Sequence, residues 1–593
     1  MRMQQFRPAI LAGIIGCVFT VAAPGQVAVW TQHNSNTRIG NNNSETVLTP
    51  ANVNRNTFGK LFTYTLDDQT YSQPLYIPGL KMAVDGQVHN VVFVTTVNNT
   101  VYAWDADSNT ANGGKPLWVR NLTPPETRVP DAKFIRGLGS CGFDYKDFAG
   151  NLGMVGTPVI DTSTNTLYVV AHVLEGRYQD QAVQRLHALD ITSGQDKFGG
   201  PRIIETKEKD AFRGFNPQTN NQRPALALVN GVVYIGWASY CDMEPYHGWI
   251  IGYKASDLSQ VTMWSPTPFP GEKGGFWQSG QGVMADGANN LYLLTGNGTA
   301  DNGINNYGMS AVRLTPDASG ALAVSSFFTP CNYANLNGDD LDIGSAGVIP
   351  IPGTELVAGG GKEGMFYLMQ SDSLGGNGRV CPDDIIQEFQ AVFPHPSTAE
   401  GHLHGSPVYY NTGTAEYVYL WGENDFLRGY QFFRQSPQSP AHFNSTAAAA
   451  STMQAPQIPP PPPPHSKERQ GGMPGGFLSI SSNGTVNGIV WALTLYGCNA
   501  NHDVEPGILY AFDASNFTGS GPTRQLTDLW DSKQLASRDD VGYFAKFTYP
   551  TIANGKVYVA GWGPVPPGEF KKCSPVTGVP SNRGQLSVYG LIR

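Results

Sequence analysis

"VVFVTTVNNTVYAWDADS", residues 91–108, is an apolar strand, a polar turn at Asn98 and Asn99, and a second strand with an aromatic centre. The phrase recurs at 166–194, 232–257, 291–314, 355–372, 417–432, 488–515 and 556–592, which makes eight copies. Each copy follows a strand of small residues, such as "GTPVIDTST", "QRPALALVNG" or "HGSPVYYNTG", and some carry an outer strand, as in "KPLWVRNL" (115–122). Three or four sequential strands per unit, with no helical period between them, describe a propeller blade, and eight units lie within the range that propellers use. The sequence predicts an all-β, eight-bladed β-propeller occupying residues 27–593 as one domain. The eighth copy ends at "LSVYGLI" without an outer strand, whereas "KLFTYTL" (60–66) is a strand without a unit. The N-terminal strand is therefore expected to complete the last blade and lock the ring.

Composition agrees with this reading. Charged residues are 14% of the chain, against roughly 25% in an average soluble protein. The 69 Gly and 43 Pro supply turns, and 26 Tyr with 28 Phe supply strand centres. The formal net charge is −9 with no basic block, which excludes the electrostatic footprint of a nucleic-acid binder. Residues 1–26 read as an export signal: Arg2 and Arg7, then the apolar "PAILAGIIGCVFTVAA", then cleavage between Ala23 and Gln26. "IIGC" ending at Cys17 resembles a lipoprotein box, so a lipid anchor there is the alternative, although the apolar run continues past it. No other stretch reaches the roughly 18 apolar residues of a transmembrane helix, and the expected location is periplasmic or extracellular. Six cysteines remain after the signal, an even number that suits disulfides in an exported chain. Sequence alone does not choose among their pairings. Their places relative to the blades favour Cys141–Cys241, Cys331–Cys381 and Cys498–Cys573. Residues 433–475, with "STAAAAST" and the run Pro459 to Pro464, read as a Pro-rich, solvent-facing insertion between two blades.

In a propeller, the positions before each inner strand and the turns between second and third strands converge on one mouth of the channel. The inner-strand approaches supply Arg223, Gln281, Asp342, His402, His404 and Lys546. The middle turns supply Asn297, Lys362, Glu363, Glu423 and Asp425, with Trp277 as an aromatic wall. Polar groups converging beside aromatics mark the default ligand site, here for a small molecule, a glycan or an envelope protein. His402 and His404 are two residues apart, so on a strand they point the same way. With a carboxylate from Glu423 or Asp425 they could chelate a metal, Asp342 being a further candidate ligand. The alternative is hydrogen bonding to loop backbone or ligand, since no H-E-x-x-H is present. "GGGKEG" (359–364) fits G-x-G-x-x-G but precedes a strand rather than a helix, so it is not a dinucleotide loop. "NLNGDDLDIG" (335–344) lacks the residue order of an EF-hand loop.

The repeats "VYAWDADS", "LHALDITSG" and "LYAFDASN" resemble the pyrroloquinoline quinone (PQQ) repeat of exported bacterial quinoprotein-like propellers. The resemblance implies the fold over nearly the whole chain. In the family's dehydrogenases PQQ lies at the channel mouth over a Trp, with a calcium ion, an aspartate base and often a vicinal disulfide. Carried onto this chain, that would make Asp425 or Asp342 the base and Lys362 or Lys546 the group that polarises the quinone. The chain departs from the pattern. It has no adjacent cysteines, Glu363 replaces an asparagine, and Gln370 and Ser371 stand where the family has Asp-Arg. Two readings follow: a propeller binding a ligand or partner at its mouth, an assembly scaffold included, or a divergent PQQ- and calcium-dependent alcohol or sugar dehydrogenase.

Overall fold

Each repeat folds as an antiparallel four-stranded meander. In the first, Leu75–Lys81, Val88–Thr95, Thr100–Asp105 and Trp118–Asn121 pair in sequence. The computed structural model describes residues 27–137, 147–206, 214–301, 305–377, 381–393, 401–455, 472–497, 499–501, 504–521, 524–565 and 583–592. Among these residues six sheets hold one meander each. A ten-stranded sheet holds two, joined through their outer strands Ala449–Gln454 and Gln525–Asp531. The architecture is the expected β-propeller, and the meanders number eight by this sheet order.

Burial explains why the strands read as they do. Thr166–Glu175, a second strand, is buried along all but its last residue, whereas the outer strand Leu322–Thr329 is mostly half-exposed or exposed. An interior strand has a neighbouring meander on both faces, so both faces must be apolar and the run is continuous rather than alternating. The cores lie between successive meanders. Leu75, Phe93, Ile160 and Val169 join the first to the second, and Leu66, Tyr76, Val92, Tyr558 and Leu586 join the eighth to the first.

The ring closes as expected. Phe58–Leu66 pairs antiparallel with Gly584–Leu591 as the outer strand of the eighth meander. The "RDD" stretch clasps this strand: Arg538 Nη2 donates to the Phe58 carbonyl at 3.0 Å, and Asp539 Oδ1 accepts from Lys60 N at 3.0 Å. Phe58 itself is fully buried, edge-on to Trp530 at 5.0 Å.

A feature with no counterpart in the sequence reading is a plug. Residues 29–42 cross the channel and bond in turn to the inner edges of seven meanders. Val29 N donates to Tyr76 O (2.7 Å), Ile160 N to Trp30 O (2.8 Å) and Asn36 Nδ2 to Leu228 O (2.6 Å). Ala285 N donates to Asn36 O (2.8 Å), Tyr409 N to Ile39 O (3.1 Å) and Ile480 N to Gly40 O (2.7 Å), and Asn42 Nδ2 reaches Ile552 O (3.0 Å). The buried Arg38 pins the segment through Thr31, Gln32, Leu226 and Val283. One end of the channel is therefore filled by chain.

One expectation is revised and several fall outside what is described. The stretch 433–475 is not all insertion: Ala449–Gln454 is the outer strand of the sixth meander and His442–Phe443 pairs beside it. Pro459 to Pro464 lie outside the described residues, as do the signal segment 1–26 and Cys17. Cys331 and Cys381 are bonded, with Cα atoms 5.4 Å apart. Cys241 is disulfide-bonded, while its expected partner Cys141, and both Cys498 and Cys573, lie outside the described residues. No helix of the described residues is long and apolar enough to cross a membrane.

Phe58→Ala should cost about 3–5 kcal/mol, the loss expected for a buried Phe. Because Phe58 lies on the closing strand, denaturant unfolding should move to lower denaturant. An unchanged midpoint would show that closure does not rest on this contact.

Candidate functional site

Opposite the plug, the mouth holds a cavity of about 310 Å³. Its wall comes from seven meanders, all but the first: Phe148 precedes the second, Arg223 the third, Trp277 the fourth, Asp342 the fifth, His402 and His404 the sixth, Met473 the seventh and Lys546 the eighth. Middle turns add Asp242, Lys362, Glu423 and Asn499. The rule that inner-strand approaches and middle turns share a face thus holds. Below the wall a polar floor separates cavity from plug. Ser345 Oγ donates to Leu403 O at 2.6 Å, Ser279 Oγ to Ser345 O at 2.7 Å, and Tyr549, whose ring packs edge-on to His33 at 4.4 Å, bonds Ser406 at 2.9 Å.

Two glycines let the loops come together. A Cβ on Gly405 would lie 2.0 Å from the Gly476 carbonyl oxygen, so only glycine lets "HLHG" pass beside the seventh inner strand. A Cβ on Gly361 would lie 2.2 Å from the Asp342 carbonyl oxygen, so glycine allows the Lys362 turn to settle on Asp342.

Eight of the expected residues meet here: Arg223, Trp277, Asp342, Lys362, His402, His404, Glu423 and Lys546. Lys362 Nζ sits between Asp342 Oδ2 at 2.7 Å and Asp340 Oδ2 at 3.0 Å. Burial alone would lower its pKa, but the two aspartates outweigh burial and raise it, so the ammonium stays charged. Asp342 Oδ1 accepts from Asn297 N at 2.6 Å, which leaves both oxygens engaged. Arg223 donates to the Trp277 carbonyl at 3.1 Å, its guanidinium 5.0 Å from the Trp277 ring and 4.3 Å from that of Phe547. Lys546 Nζ donates to Asn501 O at 2.7 Å.

His402, His404 and Glu423 form a separate cluster. Glu423 Oε1 is 3.0 Å from His404 Nε2, and Oε2 is 3.4 Å from His402 Nδ1. Burial lowers the His402 pKa to about 4 and that of His404 well below its ordinary value, and it raises that of Glu423. Both imidazoles are therefore neutral near neutral pH and present lone pairs.

The other expected residues face elsewhere. Asp425 does not line the cavity. Its carboxylate accepts two bonds from Arg428 at 2.7 and 2.8 Å and one from Phe393 N at 2.9 Å, a saturated structural pair rather than a base. Glu363 turns outward to Asn332 (2.9 Å) and Tyr367 (3.3 Å). Gln281 is buried and ties the fourth meander to the fifth through Val348 O at 2.7 Å. Asn297 lies behind Asp340 and Asp342 and orients both. The sequence reading missed Asp147, Phe148, Asp340, Ser345, Asn499, Asn501 and Phe547 as wall residues. Asp340 and Phe547 stand within two residues of predicted ones, which was the available signal.

The calcium expected from the quinoprotein likeness does not fit these donors. Calcium takes six to eight oxygens, whereas the cluster that converges among the described residues contains two imidazoles. The carboxylates Asp340 and Asp342 already hold Lys362 where a cation would sit. A PQQ tricarboxylate would also meet a wall with five carboxylates (Asp147, Asp242, Asp340, Asp342, Glu423) against three cations.

No family model matches the chain, and no curated protein matches it by sequence. Among solved structures it is similar to a quinohemoprotein alcohol dehydrogenase of Pseudomonas putida HK5, at 14% identity and a TM-score of 0.55, over 95% of this chain and 80% of that one. It is also similar to the quinohemoprotein alcohol dehydrogenase of Comamonas testosteroni (15%, TM-score 0.52, 96% and 81% covered). A europium-containing methanol dehydrogenase gives 12% identity and a TM-score of 0.53 over 96% of this chain and 99% of that one. At such identities the likeness establishes the PQQ-type propeller fold.

Asp242, beside Asp342, has its pKa raised to about 6, first by burial and then by the neighbouring carboxylate. A raised acid pKa penalises the folded state as pH climbs through the window from the usual carboxylate value to about 6, and not below it. Asp242→Asn should therefore leave Tm unchanged at pH 3.5 and stabilise by roughly 3 kcal/mol at pH 7.5. A gain of equal size at both pH values would contradict this electrostatic account.

Proposed function

We propose that this chain is a binding propeller that takes one small polar molecule into its mouth cavity, and that it works outside the cytoplasm. The observation that carries the reading is the convergence of carboxylates, cations, amides and aromatics from seven meanders on one blind cavity of about 310 Å³. That volume is at the small end for ligand pockets, which favours a small molecule over a protein surface. Carboxylates and amides accept from and donate to hydroxyls, and Phe148 and Phe547 offer apolar faces, so a hydroxyl-rich ligand of about monosaccharide size suits the wall. The signal-like residues 1–26 and the Cys331–Cys381 bond support export.

The dehydrogenase reading draws on the likeness to quinoprotein dehydrogenases alone. The donor set and the wall charge speak against calcium and PQQ, so no catalytic step is derived through them.

The test offers the purified chain two ligand sets. A panel of sugars and polyols should contain at least one that binds saturably by calorimetry, and Lys546→Ala should weaken it about tenfold or more. PQQ with calcium should produce no stoichiometric visible spectrum. Tight PQQ capture that disappears in Lys362→Ala would overturn the proposal in favour of a quinoprotein.

A further inference from the structure

We infer that His402, His404 and Glu423 form a mononuclear site for a first-row transition-metal dication at the mouth. The site stands whether or not an organic ligand enters the cavity.

Donors of the cluster are buried and unsatisfied. The His404 side chain is 5% exposed and that of Glu423 1% exposed. Among the described residues, His404 Nε2 and both carboxylate oxygens of Glu423 lack a hydrogen-bond partner. Such groups rarely remain unpaired in a folded interior. His404 Nε2 and Glu423 Oε1 are 3.0 Å apart, close enough for a bond, yet they are not aligned for one. Both residues line the same cavity, as does His402.

The donor separations match the dimensions of a metal shell. Zinc lies about 2.0–2.1 Å from imidazole nitrogen and 2.0–2.2 Å from carboxylate oxygen, so two of its ligands are about 2.9 Å apart at a right angle and about 3.3 Å apart at the tetrahedral angle. The observed nitrogen–oxygen separations are 3.0 and 3.4 Å. The three donors lie within 4.8 Å of one another. Binding one ion would draw the donors closer together by side-chain rotation.

Chemical identity and charge agree with a transition-metal dication. Two imidazoles and one carboxylate suit zinc, iron or their neighbours and disfavour calcium and magnesium, which prefer oxygen shells. The described cavity wall carries five carboxylates and three cations, a formal −2 that one dication cancels. Three protein ligands leave positions open toward the cavity, the arrangement of a working rather than a purely structural metal.

The experiment uses the full exported chain, stripped with a chelator and titrated with zinc by calorimetry and with cobalt(II) by visible absorption. One equivalent of zinc should bind, and cobalt should give a visible band that zinc abolishes. Glu423→Gln and His404→Ala should each weaken binding by at least the roughly 100-fold upper end that changes around a metal's ligands produce. His402→Gln, at the more exposed ligand, keeps the test decisive if the buried variants misfold, and it should cost at least about tenfold. His89→Ala, which removes a surface imidazole held between Asp85 at 3.0 Å and Asp105 at 2.7 Å, should change nothing. Absence of saturable zinc binding, an affinity untouched by His402→Gln, or displacement of zinc by equimolar calcium would overturn the inference.

Discussion

Arg38 is the contact on which the rest of the structure leans. It is completely buried, and its bonds run to three carbonyls and a hydroxyl, with burial lowering its pKa to about 9. Burying a guanidinium costs several kcal/mol unless its donors are met. Here the acceptors belong to the plug itself and to the third and fourth meanders, so meeting them fixes the plug against the ring. With one end of the channel filled, the other becomes a blind cavity with a floor. The loops that would otherwise ring an open pore are instead walls.

The blind end changes the electrostatics of the mouth. Charges in a low-dielectric recess interact more strongly than on an open surface, so each must be answered locally. Lys362 is answered by Asp340 and Asp342, and Arg223 rests between two aromatic rings. Beside His402, the buried His404 Nε2 and both Glu423 oxygens find no such answer among the described residues. The donors that suit calcium poorly are the ones the inferred transition-metal site would use.

The fold was readable because interior strands covered on both faces must be continuously apolar, and that pattern repeats along the chain. The unpaired N-terminal strand and the unfinished last unit were readable as two halves of one closure. The mouth was readable wherever a residue precedes an inner strand, as with Arg223, His404 and Lys546. It was less readable in the turns, where one residue decides direction. Asn424 takes a positive φ of 54°, and the next residue, Asp425, swings away to Arg428. Lys362 faces the cavity while its neighbour Glu363 faces Asn332 and Tyr367. The plug left no periodic signal, because "TQHNSNTRIG" (31–40) bonds through its backbone and through scattered polar side chains rather than through an apolar face.

The most direct test of this account is anomalous X-ray diffraction from crystals of the full chain soaked in zinc. The account requires one strong peak about 2.0–2.2 Å from donors of His402, His404 and Glu423, with the space on its far side opening into the cavity. Zinc peaks elsewhere on the molecule with none between these three residues would contradict it.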